Sequence, residues 1–119
     1  MDDSIVRGTT TRKLIQILKR ICRIVTGQEA EIHMRISSPP VCHPCPYGIN
    51  TPTHQELIAN QLRQDGEVDV EAIRQHIGAA SLGYVTVEDL HASVANPDDY
   101  CYACWTGDYP IGTKDTWEV

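Results

Sequence analysis

The chain opens with MDDSIVRGTT, which places hydroxyl groups and a glycine directly before a predicted helix. Backbone N–H groups at the start of a helix lack partners within the helix, and together with the helix dipole they attract an anion. Gly8 lets the backbone approach a ligand closely, and the hydroxyls of Ser4, Thr9 and Thr10 add hydrogen-bond donors. The segment is therefore predicted to be a phosphate-binding loop, with an ordinary helix cap as the less favoured alternative.

Two carboxylates, Asp2 and Asp3, stand at the start of this loop. They repel a bare phosphate, because like charges at close range raise the free energy of binding. Carboxylates do, however, accept hydrogen bonds from hydroxyl groups and bind Mg²⁺. A phosphate ligand with hydroxyls or a metal ion beside the phosphate is therefore favoured over phosphate alone.

Four of the five cysteines form two C-x-x-C pairs, Cys42 with Cys45 and Cys101 with Cys104. Two such pairs indicate a four-thiolate metal site, which suits zinc and an iron–sulfur cluster about equally. Their long separation in sequence exceeds that of usual zinc ribbons and makes the pattern less specific. A thioredoxin-like redox role for CHPC is a weaker alternative, and Cys22 is predicted to be a buried thiol.

One long amphipathic helix follows the loop. Its apolar residues recur at steps of three and four and form a single stripe, made of Leu14, Ile17, Leu18, Ile21, Ile24 and Val25. One of the threonines at 9–11 is expected to cap the start of this helix, and Gly27 its end. The basic residues between 12 and 23 are interpreted as a solvated helix face.

The rest of the chain predicts two short strands and several short helices. EIHMRIS alternates apolar and polar residues and predicts a strand, and SLGYV predicts another. Helix starts are predicted at a capping box in residues 53–56, at Asp69 and at Thr86. From Pro97 onward we expect a loop. The five histidines show no spacing that predicts a catalytic pair.

Length and charge limit the class of protein. A chain of 119 residues predicts one small domain. The net charge of −6 argues against nucleic acid as a partner. No apolar run is long enough to cross a bilayer, and the N-terminus is not a signal peptide. We therefore expect a cytoplasmic protein with no membrane partner, whose cysteines are thiols or metal ligands and not disulfides.

Several stretches together resemble a known family. DDSIVRGTT resembles the loop that binds phosphoribosyl pyrophosphate (PRPP) in type I phosphoribosyltransferases, in the version found in glutamine amidophosphoribosyltransferase. RISSPP, HPCPYGINTPTHQELIA and CYACWTGDYP resemble the C-terminal part of that enzyme, in the same order. The resemblance implies formation of 5-phosphoribosylamine from PRPP and glutamine-derived ammonia, the first step of purine synthesis.

The resemblance also implies roles for individual residues. Asp2 and Asp3 match positions that bind the PRPP ribose and its Mg²⁺. The cradle for the 5′-phosphate corresponds to Ser4, Arg7, Gly8, Thr9 and Thr10. Three ligands of a [4Fe–4S] cluster correspond to Cys45, Cys101 and Cys104, and Cys42 is the nearest substitute for the fourth. The implied cofactors are Mg²⁺ and this cluster, with zinc as the alternative.

The implied fold class is α/β. Residues 1–40 correspond to the end of a type I phosphoribosyltransferase core, a loop followed by a helix and a strand. Residues 41–119 correspond to a mainly helical C-terminal segment with a cysteine-rich tail.

Some parts of the family enzyme have no counterpart in this sequence. They are the glutaminase domain, the early strands of the sheet, the loop that closes over PRPP and the fourth cluster cysteine. Residues 19–31 also look longer than the matching link in the family. We therefore expect a C-terminal fragment that is inactive alone and meets glutamine only through the glutaminase domain of a homo-oligomeric enzyme. The alternative is a non-catalytic phosphate-binding or four-cysteine metal-site module.

Overall fold

Helix α1, Thr9–Thr26, is the longest element of the chain. A computed structural model describes residues 1–49, 51 and 53–111. The predicted end at Gly27 is confirmed, since this left-handed residue donates its N–H to the Arg23 carbonyl at 2.9 Å. The predicted threonine cap is wrong. Thr9 is already helical, so the N-cap falls on Gly8, and no side chain caps the helix.

A two-stranded parallel sheet lies beside α1. Strand β1, His33–Ile36, pairs with strand β4, Ser81–Tyr84, with His33 opposite Ser81 and Ile36 opposite Tyr84. Met34 and Ile36 are buried while the alternate side chains are exposed, as the alternation in EIHMRIS predicts. Both strands were predicted from the sequence, and both are confirmed. Their pairing brings residues far apart in the chain into one sheet.

Short elements connect the two strands and follow the second. A 3₁₀ turn, two helices and a two-stranded antiparallel hairpin lie between β1 and β4, namely His54–Glu56, α2 (Ile58–Gln61), β2 (Arg63–Gln64), β3 (Glu67–Val68) and α3 (Val70–Ile77). After β4 come α4 (Val87–Ser93), a 3₁₀ turn (Pro97–Asp99) and α5 (Ala103–Thr106). The segment from Pro97 onward is therefore partly helical, contrary to the predicted loop. Residues 112–119, which end the predicted part 41–119, lie outside the described residues.

The predicted helix caps have mixed outcomes. Asp69 accepts a hydrogen bond from the Ala72 N–H at 2.9 Å, and Thr86 forms a capping box with Asp89, so both predictions are confirmed. The capping box predicted at Thr53 is wrong, since its side chain caps nothing. The chain returns to an extended conformation at the fully buried Leu57, which ends the turn after three residues.

One hydrophobic core joins the sheet to the helices. It draws on both predicted parts of the chain, and its buried members are Ile5, Ile15, Met34, Ile36, Ile58, Ile73, Ile77 and Ala79. The division at residue 40 stays a prediction. From α1 only Thr11 and Ile15 are buried, while the predicted apolar stripe is exposed and Cys22 only half-buried. No helix among the described residues is long and apolar enough to cross a membrane.

Candidate functional site

The predicted binding loop begins at the edge of the parallel sheet. The Asp2 N–H donates to the Arg35 carbonyl, and the Ser37 N–H donates to the Asp2 carbonyl, both at 3.0 Å. Asp2 therefore pairs with Ile36 in parallel, at the carboxyl end of β1. In open parallel sheets, ligands bind beyond the carboxyl ends of the strands. The backbone thus brings the two aspartates to the edge of the sheet that most often binds ligands.

The middle of the loop is fixed to the core. Ile5 is 2% exposed and belongs to the hydrophobic core. The Ile58 N–H, at the start of α2, donates to the Val6 carbonyl at 2.9 Å. Since a buried side chain and a backbone hydrogen bond both hold the loop, its polar residues are presented from a defined backbone.

Gly8 joins the loop to α1 at a place where no other residue fits well. Its φ of 77° lies in the left-handed region, which disfavours residues with a Cβ. A Cβ at this position would lie 2.6 Å from Ile58 Cδ1 and 3.5 Å from His76 Cδ2. The glycine therefore allows both the turn into α1 and the close packing of the loop on α2.

The groups predicted to bind a phosphate gather at the first turn of α1. Thr9 and Thr10 are exposed there, where the backbone N–H groups have no helical acceptors. The Ser4 N–H is not free for a ligand, because it donates to Asp3 Oδ1 at 2.7 Å, just as the Asp3 N–H donates to Asp2 Oδ1 at 2.9 Å. The aspartates therefore order the first part of the loop, and the donors that could bind an anion lie at the start of the helix.

Arg7 extends from the loop toward the turn that precedes α2. Its Nη2 lies 3.5 Å from Glu56 Oε2, and both side chains are about half exposed, at 53% and 54%. An exposed ion pair of this length contributes little stability. The guanidinium is therefore free to exchange the Glu56 carboxylate for a phosphate.

The predicted cysteine ligands lie in one region of the molecule. The Cys104 carbonyl accepts hydrogen bonds from the N–H groups of Cys42 and His43, both at 3.0 Å, and so ties α5 to residues 42–43. Burial raises the pKa of the Cys104 thiol, and the neighbouring thiols at 101, 45 and 42 raise it further. Cys45 is half-buried, with its N–H bound to Thr51 Oγ1 at 2.6 Å, while Cys101 is exposed.

In the described residues, these thiols do not surround a single metal ion. Within residues 1–49, 51 and 53–111, no three His, Cys, Asp or Glu side chains are grouped so that they could hold a metal ion. Cys42 is 7% exposed, and its thiol donates to the Pro40 carbonyl at 3.4 Å. Its role as the substitute fourth ligand stays a prediction.

A histidine pair that the sequence did not predict lies beside the cysteines. His43 Nδ1 and His54 Nε2 are 3.3 Å apart, with the rings nearly perpendicular. Burial lowers the pKa of His43, and the charges of His54 and Arg63 lower it further. The two histidines meet because the chain folds back between residues 43 and 54, which no local pattern of residue types indicates.

The loop, the glycine at the start of α1 and the sheet edge together form an α/β arrangement. No protein-family model matches the chain. Curated relatives are amidophosphoribosyltransferases. The chain is 44% identical to that of Bacillus subtilis (strain 168) over 92% of its own length and 22% of the relative. It is 45% identical to the Mycobacterium leprae enzyme, over 93% of this chain and 19% of the relative. It is 41% identical to chloroplastic enzyme 2 of Arabidopsis thaliana, over 93% of this chain and 18% of the relative.

Two solved structures show the same relationship. One is described as the allosteric regulatory enzyme of purine biosynthesis, with a TM-score of 0.73 and 43% identity over 97% of this chain and 23% of that one. The other is glutamine PRPP amidotransferase from B. subtilis complexed with ADP and GMP, with a TM-score of 0.71 and 42% identity over 97% of this chain and 24% of that one. The resemblance to the C-terminal part of glutamine amidophosphoribosyltransferase and the α/β fold class are thereby confirmed. The chain spans about a fifth of the length of the curated relatives it matches.

Proposed function

We propose that this chain supplies the PRPP-binding loop of an amidophosphoribosyltransferase. In the proposed reaction, ammonia released from glutamine displaces pyrophosphate from PRPP and gives 5-phosphoribosylamine. Glutamine is handled by the glutaminase domain of the family enzyme, so this chain binds and orients PRPP. The observation that supports the proposal is the loop itself, which runs from the carboxyl end of β1 to the glycine-capped start of α1.

The helix end is the proposed site of the 5′-phosphate. The first-turn N–H groups of α1 point toward this position, and the exposed Thr9 and Thr10 hydroxyls add donors. Arg7 supplies the positive charge by leaving Glu56, to which it is bound only at 3.5 Å. The half-buried Ser4 completes the cradle with its hydroxyl. The phosphate fixes one end of PRPP and thereby the position of the ribose.

The two aspartates are the proposed contacts to the ribose and to Mg²⁺. One oxygen of each carboxylate accepts a backbone N–H, which leaves the other oxygen to accept a ribose hydroxyl. The donor set fits Mg²⁺, which proteins hold through one or two carboxylates together with substrate phosphates. Mg²⁺ held by these carboxylates and the substrate would supply positive charge that offsets the negative charge of the pyrophosphate group. The cytoplasmic location stays a prediction.

An iron–sulfur or zinc centre is not part of this proposal. A structural zinc needs four protein ligands around one ion, whereas each of the four cysteines of a [4Fe–4S] cluster binds a different iron. In the part of the chain that the structure describes, the thiols of Cys45, Cys101 and Cys104 do not form a group that could hold a metal ion. The residues as they are placed therefore do not fit a single zinc ion, and Cys45, Cys101 and Cys104 as ligands of a [4Fe–4S] cluster stay a prediction.

Calorimetric titration of the full chain with PRPP tests the function of the loop. We expect weak binding that strengthens with Mg²⁺, since exposed helix-end donors contribute only about 1 kcal/mol. The double variant Asp2→Asn/Asp3→Asn should lose the Mg²⁺ dependence. The matched control is Asp98→Asn/Asp99→Asn, an exposed aspartate pair in the turn Pro97–Asp99. Equal Mg²⁺-dependent binding by both variants would remove Asp2 and Asp3 from the proposed role.

A further inference from the structure

The turn that precedes α2 places a carboxylate beside the proposed phosphate site. Arg7 is the basic residue within the segment 1–10. Among the described residues, its guanidinium makes its hydrogen bond to Glu56, with Nη2 lying 3.5 Å from Oε2. A carboxylate in this position takes up N–H donors that a phosphate oxygen would otherwise accept from.

The backbone keeps Glu56 close to Arg7. Ile58 holds the residues on both sides of Arg7. Its N–H donates to the Val6 carbonyl at 2.9 Å, and its Cδ1 packs against Gly8, 2.6 Å from where a Cβ would lie. Glu56 stands two residues before Ile58. The carboxylate therefore remains next to the loop whether or not it is paired with the guanidinium.

The ion pair between Arg7 and Glu56 is weak in comparison with another pair of the same chain. Arg74 binds Glu71 through two hydrogen bonds of 2.7 and 2.6 Å, which is the geometry of a strong charge-assisted pair. Arg7 and Glu56 make a single contact at 3.5 Å, longer than a well-formed hydrogen bond. A phosphate group carries more charge and more acceptor oxygens than one carboxylate, so it can displace Glu56.

The other carboxylates near the loop are engaged elsewhere. Asp2 and Asp3 each accept a backbone N–H at the start of the loop. The first turn of α1, residues 9–12, consists of three threonines and an arginine, although acidic side chains stabilise this end of a helix. Glu56 is therefore the carboxylate placed to compete with a phosphate for the positive charge of the loop.

We propose that Glu56 is an internal competitor that lowers the affinity of the loop for the 5′-phosphate, an inference that rests on the proposed function of the loop. Without ligand, Glu56 neutralises Arg7, and the phosphate must displace this carboxylate before the guanidinium can bind it. PRPP and 5-phosphoribosylamine carry the same 5′-phosphate. Because product release limits the rate of many enzymes, a competitor that returns to Arg7 favours release of the product.

The variant Glu56→Gln tests the competition, because it removes the charge and keeps the shape of the side chain. The affinity of the full, ¹⁵N-labelled chain for PRPP with Mg²⁺ is measured from the amide shifts of residues 8–10. We expect Glu56→Gln to bind PRPP about three- to fivefold more tightly than the wild type, the effect of removing an exposed ion pair. Glu88→Gln removes an exposed carboxylate from α4 and should leave the affinity within about twofold.

The Arg7→Gln background separates competition for Arg7 from general charge repulsion. Arg7→Gln alone should bind PRPP about tenfold more weakly than the wild type, because a charge-assisted hydrogen bond is lost. Adding Glu56→Gln to this variant should then change the affinity by less than about twofold. A gain of full size in this background would overturn the proposal, since Glu56 would then act without Arg7.

The same titrations separate this inference from the proposed function. If PRPP binds at residues 8–10 and Glu56→Gln binds no more tightly than the wild type, the competition by Glu56 is overturned while the function of the loop stands. If PRPP shifts no amide in residues 2–10 of the wild type or of any variant, the proposed function is overturned together with the role of Glu56.

Discussion

At the scale of single residues, the loop depends most on Gly8. Its left-handed conformation and its contact with Ile58 leave no room for a Cβ. The sequence pattern predicted a glycine with close approach to a ligand, and in the structure the same residue also packs against protein. Such a contact lies between residues 50 positions apart and could not be predicted from spacing. Loop polarity could be predicted, because it follows from residue types alone.

Gly8→Ala should therefore destabilise the fold more than an ordinary glycine substitution. The left-handed conformation costs about 1–2 kcal/mol, and relieving the 2.6 Å approach to Ile58 Cδ1 adds about 1–3 kcal/mol. Gly27→Ala is the control, since Gly27 has a φ of 72° but nothing within 4 Å of the added Cβ. Urea unfolding followed by circular dichroism measures both. Equal losses for the two variants would show that the contact with Ile58 does not matter.

At the scale of elements, local sequence signals predicted which helices and strands form, but not how these elements pair and pack. Periodicity and capping residues predicted α1, α3, α4 and both strands of the parallel sheet. The parallel pairing of β1 with β4 and the bridge to Asp2 were not predicted, because they depend on packing between distant segments. The capping box at Thr53 failed for the same reason, since burial of Leu57 decides the local backbone there.

The capping box at Thr86 and the one predicted at Thr53, which does not form, provide a direct comparison. Thr86 Oγ1 accepts the Asp89 N–H at 3.0 Å, and the Asp89 carboxylate accepts the Thr86 N–H at 3.1 Å. Thr86→Ala should therefore lower the free energy of unfolding by about 1 kcal/mol. Thr53→Ala removes a side chain that caps nothing and should change it by less than about 0.5 kcal/mol. Chemical denaturation of both variants measures the difference, and a larger loss for Thr53→Ala would contradict the assignment of the caps.

Helix α3 should make stability depend on acidic pH. Two hydrogen bonds from the Arg74 guanidinium, at 2.6 and 2.7 Å, lower the pKa of Glu71 to about 2. Since the folded pKa lies below the unfolded value, this pair stabilises the fold above about pH 4.5. The stabilisation is lost as the pH falls toward 2.

The variant Glu71→Gln should therefore show a shallower fall in the free energy of unfolding across this range than the wild type. Glu88→Gln, at an exposed position in the first turn of α4, is the control. Denaturation midpoints measured at several pH values provide the comparison. If Glu71→Gln and the wild type lose stability in parallel, the pair does not contribute.

At the scale of the whole molecule, one core supports two surfaces with different chemistry. The loop and the first turn of α1 form a polar surface, which is the proposed PRPP site, while the stripe from Leu14 to Val25 on the same helix is apolar and exposed. The sequence predicted the apolar stripe but not its exposure, because a stripe at helical spacing does not reveal what lies beside it. In the structure, α1 touches the body through Thr11 and Ile15 alone among its buried residues. Helix α1 therefore carries both the polar end and the apolar stripe, and its buried residues Thr11 and Ile15 anchor it on the core.

The most direct test of the loop's function is an NMR titration of the full, ¹⁵N-labelled chain with PRPP and Mg²⁺. If the loop binds the 5′-phosphate, the largest amide shifts will fall at Gly8, Thr9 and Thr10, with smaller ones at Asp2 and Asp3. These residues combine the helix-end donors with the two carboxylates, so a ligand that contacts both must perturb them together. Shifts centred instead on His43 and His54, or none in residues 2–10 at saturating PRPP, would contradict the proposed binding site.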